Sequence, residues 1–501
     1  MQRLLDGLHI PKLSPLQATL ASLAISLALV AALLVVGIGF SDTDLPLYLG
    51  GGAAALGLAV LISIRPEVGA YVLTVSVFTS LSDVLKYLGF PSINKPLVAL
   101  VAVSILANIL LKRERPKLRH LELLFLTIGI SWLLSLFVAE NQQRATNKVI
   151  DFAKDFVIVL CFVFSLKNQL YWKRAAWLLL LSAGVLAAMG TYQSVTGDYQ
   201  QTFLGFAKIS EQEVVRELTS GRLTGPIDDP NYYGQMMAAV LPLAVYRALD
   251  EKKLFLRVTA AVIGLLIIIT VMNTYSRGAF VAMAIVLLLI AIERHIKFSW
   301  LMLVGLSAAI LMLVLPAGYT QRISSIFEVD LTDQSSLRSD SSIRGRTSEM
   351  QAGLLMFGSH PFLGVGAGNY LNHYQDYASL LGLEDRLTER NAHSLYIEAA
   401  AETGLVGVIA LTSTLVALFA GILSARRKAK DILKDPDWHS WIMAFQRALT
   451  SYLITSIFLH SDYIRYLWLL IALTIAMIYI TDEAAQERQR AASVTAGGAV
   501  A

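Results

Sequence analysis

Apolar runs near the roughly 20 residues that cross a bilayer recur along the whole chain, at about 16–40, 47–64, 69–90, 97–112, 121–139, 149–166, 174–195, 233–249, 254–274, 279–293, 299–316, 395–424, 441–460 and 464–481. In hydrocarbon every backbone N–H and C=O must be satisfied within the chain, and a single run does this only as a helix. The runs therefore predict an all-α fold, a polytopic transmembrane helical bundle of about 12–14 spans. Only 16% of the 501 residues are charged and 55% are hydrophobic, far from the roughly 25% charged residues of soluble proteins. The formal net charge of +4 sits mostly in short loops, so it bears on topology, and no nucleic-acid partner is expected. A single cysteine, Cys161, excludes an internal disulfide and a cysteine-based metal site. Met1 to Pro15 is polar and basic, and no small-residue cleavage site follows the first apolar run, so no cleaved leader is expected.

Alternate loops collect Lys and Arg: Lys112-Arg-Glu-Arg-Pro-Lys-Leu-Arg119, Lys167 to Arg174, Arg247 to Arg257, Glu293 to Lys297 and Arg426-Arg-Lys-Ala-Lys430. The intervening set is poorer in clustered positive charge, so the basic set is cytoplasmic, both termini lie with it, and Ala317 to Asn391 lies outside. Five segments follow: N-terminal membrane helices over 1–195, a membrane core with the first outer loop over 196–316, a large outer loop over 317–393, C-terminal membrane helices over 394–482, and a cytoplasmic tail over 483–501. In the first outer loop Asp229 is placed to cap a helix with Pro230 at its first position. The large loop opens with a Ser/Asp-rich stretch, Asp330 to Ser342. The pattern then predicts a helix over Thr347 to Phe357, stopped by Gly358 and Pro361, and a second over Asn369 to Leu381. Their apolar stripes suit a membrane surface.

Three outer positions carry candidate chemistry: Arg222 in Gly221-Arg-Leu-Thr-Gly-Pro, Arg277 in Asn273-Thr-Tyr-Ser-Arg-Gly-Ala279, and His393. Singly each has a plain structural explanation, since arginines at helix ends snorkel to headgroups and a histidine at a helix start often caps or packs. Jointly, two forked cations beside glycines and one imidazole suit a diphosphate and an attacking hydroxyl. His360, His373 and His393 lack metal-ligand spacing on one helix, so no metal and no cofactor are expected. Gly364-Val-Gly-Ala-Gly368 follows no strand and is expected to be a turn rather than a nucleotide loop. Arg465 is expected to pair with Asp462.

Four segments carry a resemblance. Arg222-Leu-Thr-Gly-Pro-Ile-Asp-Asp-Pro-Asn231, Ser276-Arg-Gly-Ala-Phe280, His360-Pro-Phe-Leu-Gly-Val-Gly-Ala-Gly-Asn369 and His393-Ser-Leu-Tyr-Ile-Glu-Ala-Ala-Ala-Glu-Thr-Gly404 resemble, in this order, the signature of the O-antigen ligase and polymerase superfamily of bacterial membrane proteins. The similarity runs from about Arg222 to Gly407. The resemblance implies a helical glycosyltransferase of the C class (GT-C-like) in the inner membrane, with a large periplasmic helical loop and an active site on the periplasmic face. It implies a donor glycan on an undecaprenyl-diphosphate carrier, a lipid A-core or glycan acceptor, and surrounding membrane lipid. By the same resemblance His393, Arg222 and Arg277 are catalytic, with His393 as general base for the acceptor hydroxyl and the arginines holding the diphosphate. Asn231, Tyr396 and Glu402 join the two arginines in substrate binding. Transfer would be inverting and metal-independent, by a ligase or by a polymerase of the same superfamily. The reading from another class is a transporter of a lipid or small anion, for which Asp151, Lys154 and Asp155 are the mid-membrane candidates.

Overall fold

A computed structural model describes residues 56–111, 118–210, 221–296, 341–381, 390–461 and 464–498. The expected spans at 16–40 and 299–316, most of Asp330 to Ser342, and Asp462 lie outside the described residues.

Apolar runs become helices, and polar caps divide them. After helical residues 56–64 come α1 (Pro66–Phe78), α2 (Leu81–Tyr87), α3 (Asn94–Leu111), α4 (His120–Ser135), α5 (Gln142–Ser165) and α6 (Gln169–Thr196). A short ribbon follows, β1 (Lys208–Ile209) pairing antiparallel with β2 (Leu223–Gly225). Then come α7 (Pro230–Asp250), α8 (Leu254–Asn273), α9 (Arg277–Glu293), α10 (Ser341–Ser359), α11 (Tyr370–Leu380), α12 (Leu395–Arg427) with a π-helical extension Lys428–Leu433, α13 (Pro436–Thr455) and α14 (Arg465–Gly498). Asn141, Asn168, Asp229, Ser276 and Asp435 each cap the helix that follows by accepting backbone N–H groups with the side chain. Asp229 accepts from Asn231 N and Tyr232 N, with Pro230 first in the helix, as its sequence predicts.

Ion pairs mark two ends of the bundle. The far end holds the starts of α4, α6 and α13, where Lys173 pairs with Asp437 at 2.6 Å and Arg119 pairs with Glu483. The site end holds the starts of α5 and α12, joined by Lys148 and Glu398 at 3.8 Å. Among the described residues four helices are long and apolar enough to cross a membrane: Gln169–Thr196, Leu254–Asn273, Leu395–Leu433 and Arg465–Ser493. The pair α1 and α2 passes the same test only when taken together, and it is bent by 59° at Ser80, whose φ is 49°. The run read as continuous over 69–90 is thus a broken one. The shorter apolar helices Asn94–Leu110 and His120–Ser135 fall below that length, and α5 carries Lys148, Asp151, Lys154 and Asp155. Length and composition therefore single out fewer helices than the runs do.

One hydrophobic core extends from Ala59 to Ala485. Within it α7 is buried on every side through Arg247, as a helix at the centre of a bundle must be. A second, smaller core sits under α10 and α11, where Ala352, Met356, Tyr370, Tyr374 and Ala378 pack with Ala392 and Ala401. The apolar stripes expected to lie on a membrane are thus largely spent on each other and on the start of α12. Leu354, Phe362 and Leu380 stay exposed. The segment beginning at 483 is helical: α14 continues to Gly498, and Ala484 to Ala492 is rich in strong helix formers.

At the far end the polar side chains interlock. Arg247, fully buried, donates to Asp437 at 2.6 Å and to Ser440, and its guanidinium lies 4.1 Å from the centroid of Trp441. Arg426 and Arg447 both reach Glu293, at 2.9 and 3.3 Å. Arg294 pairs with Asp250.

Candidate active site

The turn Ser456–Ser461, between α13 and α14, is where the separated motifs meet. Leu395 N donates to Ser456 O at 3.0 Å, and Gln235 of α7 donates to Ser456 Oγ at 3.0 Å. Gly278, next to Arg277, abuts Phe458, which a Cβ there would approach to 3.2 Å. His460 Nδ1 lies 2.8 Å from the hydroxyl of Tyr232, and its ring stands edge-on to His393 with centroids 5.3 Å apart. Ser461 gives its backbone N–H and its hydroxyl to the two oxygens of Glu398, both at 2.7 Å, and Lys148 donates to Ser461 Oγ at 3.1 Å.

Arg222 and the turn before Arg277 are joined directly. Arg222 Nε donates to Thr274 O at 2.9 Å and Nη2 to Asn231 Oδ1 at 3.2 Å, so two of the expected site residues, Arg222 and Asn231, are in contact. Gly234, one turn into α7, lets that helix close on the same junction: a Cβ there would come within 2.9 Å of Thr274 Oγ1 and of Ala279 Cβ. Arg277 opens α9 directly after the capping Ser276. Arg277 is thus the first residue of a helix, whose N-terminal backbone N–H groups favour an anion.

Each motif turn contains a non-glycine residue in the left-handed region: Asp228 at φ 60°, Tyr275 at φ 51° and His393 at φ 45°. Such conformations cost about 1–3 kcal/mol each and persist where the surroundings over-determine them, often at functional sites. Here the surroundings are the contacts just described.

His393, 26% exposed, has a neighbour that no local pattern reveals. Its Nε2 lies 3.6 Å from Oε2 of Glu349, a carboxylate 2% exposed on α10 that Arg390 Nε also approaches to 4.0 Å. Tyr370 OH donates to the backbone carbonyl of Glu349, and burial raises that phenol's pKa well above its ordinary value. A carboxylate beside an imidazole stabilises the imidazolium formed when the ring accepts a proton.

The remaining expected site residues are engaged elsewhere in packing. Tyr396 OH donates to Leu453 O at 2.8 Å. Glu402 accepts the N–H of Tyr370 at 3.2 Å and so fastens the start of α11 to α12. Around it the chain 361–366 fills a break in α12. Val365 N donates to Ala401 O, Gly366 N to Glu402 O, Leu405 N to Pro361 O and Val406 N to Phe362 O. Gly364 and Gly404, at φ 68° and 61°, pass each other with no room for a side chain on either. The glycine run after Pro361 is a turn, as its sequence predicts, and its role is to interlock with Glu402-Thr-Gly404.

Beside Ser461 opens a cavity of about 550 Å³, lined by Lys148, Asp151, Asp155, Lys208, Asp228 and Arg465 together with Trp132 and Trp468. Asp155 pairs with Arg465 Nε at 3.2 Å across 310 residues, while the partner expected for Arg465, Asp462, lies outside the described residues. Lys154 pairs with Asp151 at 2.8 Å and is exposed. Among the described residues no three His, Cys, Asp or Glu side chains gather to hold a metal ion.

Glu349, His460, Tyr232 and Glu398 are the polar residues at the site that motif reasoning missed. Tyr232 directly follows Asn231, and His460 closes an apolar run, so both had a weak local signal. Residues 262–412 match the family model described as O-Antigen ligase. No curated protein matches the chain.

Proposed function

We propose, from its membership of the O-antigen ligase superfamily, that this polytopic membrane protein transfers a glycan from an undecaprenyl-diphosphate carrier to an acceptor hydroxyl at the periplasmic face, as a ligase acting on lipid A-core. The observation that supports this best is the convergence of the three motif turns on Ser456–Ser461, with Arg222 tied to Thr274 and Asn231 and with His393 set between Glu349 and His460.

The chemistry follows from the charges. The acceptor oxygen attacks the anomeric carbon while the bond from that carbon to the diphosphate oxygen breaks, so configuration inverts. His393 accepts the hydroxyl proton, a task suited to an imidazole near neutral pH, and Glu349 stabilises the resulting cation. Arg222 and Arg277 hold the diphosphate, whose negative charge grows as it leaves. Preorganised forked cations shielded from water are effective there. Sugar hydroxyls of donor or acceptor would occupy the cavity lined by Lys148, Asp151, Asp155 and the two tryptophans. The basic loops gather at the far end, which agrees with a cytoplasmic far end and a periplasmic site.

The test is the surface glycan profile of a deletion strain complemented with wild type or His393→Ala. The proposal expects lipid A-core to lack long glycan and carrier-linked polymer to accumulate in the deletion strain. Wild type should restore transfer, and the variant should be reduced by about 100-fold or more. Accumulation of single carrier-linked repeats would instead make the protein a polymerase. Equal rescue by both would remove His393 from the mechanism and bring transport forward.

A further inference from the structure

A second polar cavity, of about 760 Å³, opens at the far end between the ends of α1, α3, α4, α5 and α6 and the middle of α14. It is large enough for a small-molecule ligand, a class of site that spans about 300–1,000 Å³. Among the described residues four cations line it, Arg65, Arg119, Lys167 and Arg174, against three carboxylates, Glu67, Glu122 and Glu483. The cationic excess among them suits an anionic phosphodiester. Ile105, Ile109, Val163 and Ile480 form an apolar wall. At its rim Ile64 and Leu170 are 46% and 55% exposed, as side chains facing lipid would be.

Two buried groups bordering this cavity have unused hydrogen-bonding capacity. Glu122 is 1% exposed; its Oε2 accepts from Arg119 N at 3.1 Å and from Tyr479 OH at 2.6 Å, but Oε1 has no partner. Ser165 is 3% exposed and its hydroxyl has none either. A buried carboxylate oxygen left unsatisfied is costly, and what it lacks is a donor. The ligand that completes this site therefore carries a phosphodiester, hydroxyl donors and apolar chains. We infer that the cavity binds a glycerophospholipid with a singly anionic, hydroxylated headgroup of the phosphatidylglycerol kind. Its phosphate lies toward Arg65, Lys167 and Arg174, its hydroxyls lie on Glu122 and Ser165, and its chains follow the isoleucine wall out into the membrane. The site lies at the opposite end from His393 and does not depend on the transfer chemistry.

The test is native mass spectrometry of the full-length protein in detergent, titrated with phosphatidylglycerol, phosphatidylcholine and soluble glycerol phosphate. Phosphatidylglycerol should be retained best, because the choline headgroup has no donor and glycerol phosphate has no chains. Lys167 and Arg174 are exposed, so the double variant K167Q/R174Q should fold, and it should weaken phosphatidylglycerol binding about 30-fold. R257Q, which removes an exposed far-end cation outside the cavity, should leave binding unchanged. Equal binding by wild type and K167Q/R174Q, or an equal loss in R257Q, would overturn the site. Phosphatidylcholine binding as tightly as phosphatidylglycerol would overturn the hydroxyl assignment, and equal binding of glycerol phosphate would overturn the lipid.

Discussion

Replacing Gly404 with alanine should release the 361–366 turn from α12, and the size of the effect can be worked out from the structure. Gly404 sits at φ 61°, ψ −156°, a region essentially confined to glycine, where a side chain costs about 1–3 kcal/mol. Its new Cβ would lie 2.4 Å from the carbonyl carbon and oxygen of Phe362 and 2.7 Å from Leu363 N. All three are backbone atoms, so no side-chain rotation relieves the overlap and the turn must withdraw. Withdrawal gives up the bonds from Leu405 N to Pro361 O (2.7 Å) and from Val406 N to Phe362 O (3.3 Å), about 1 kcal/mol each. The local cost is then about 3–5 kcal/mol. At the lower figure, local opening becomes about 150-fold more frequent. Hydrogen exchange of the full-length protein in detergent reads this at the amides of Val365, Gly366, Leu405 and Val406. Gly358→Ala is the control, since a Cβ there meets nothing within 4 Å, and it should leave those amides unchanged. Wild-type exchange at the four amides in folded Gly404→Ala would refute the interlock as the device that holds the turn.

Three further outcomes are expected. Tyr232→Phe removes the hydroxyl 2.8 Å from His460 Nδ1 and should lower glycan transfer about 10-fold with unchanged folded yield; undiminished transfer would leave that contact a packing detail. Glu349→Gln keeps the shape but removes the charge 3.6 Å from His393; transfer in membranes should fall about 100-fold, and full activity would show that the carboxylate only packs. Arg247→Met strips Asp437 and Ser440 of their buried donor while Lys173 still holds Asp437 at 2.6 Å. The midpoint of thermal unfolding in detergent should drop, reflecting about 3 kcal/mol, with no specific loss at the site end. An unchanged midpoint would mean that the far-end network contributes little.

What was legible in the sequence is what acts locally. Asp229 and Pro230 announce the start of α7, and Gly358 with Pro361 stop α10, because a cap or a breaker works on backbone groups within one turn of itself. The length of the apolar runs carries the helical fold for the same reason. The break at Ser80 was not legible, since Val77 to Leu81 is no more polar than its surroundings and the bend is imposed by packing, with Ser80 Oγ 2.8 Å from Tyr466 OH. At the site, Arg222, Arg277 and His393 could be read because each lies beside a glycine or a helix start. Glu349 could not, being one acid among many in the large loop until the second core sets it against His393. Arg465 illustrates the limit well: folding brings Asp155 to it across 310 positions. Pairings between distant segments leave no mark on the composition around either residue.

The Ser456–Ser461 turn also decides when, during its own synthesis, the protein can assemble the candidate site. All the motif residues precede Leu405, so a ribosome delivers Arg222, Arg277 and His393 long before it reaches His460 and Ser461. Until that last hairpin inserts, Glu398 and Lys148 have no Ser461 to grip, Leu395 has no Ser456 carbonyl to cap against, and Tyr232 faces an empty place. A nascent or prematurely terminated chain would therefore carry every motif residue and yet lack the contacts that bring them together.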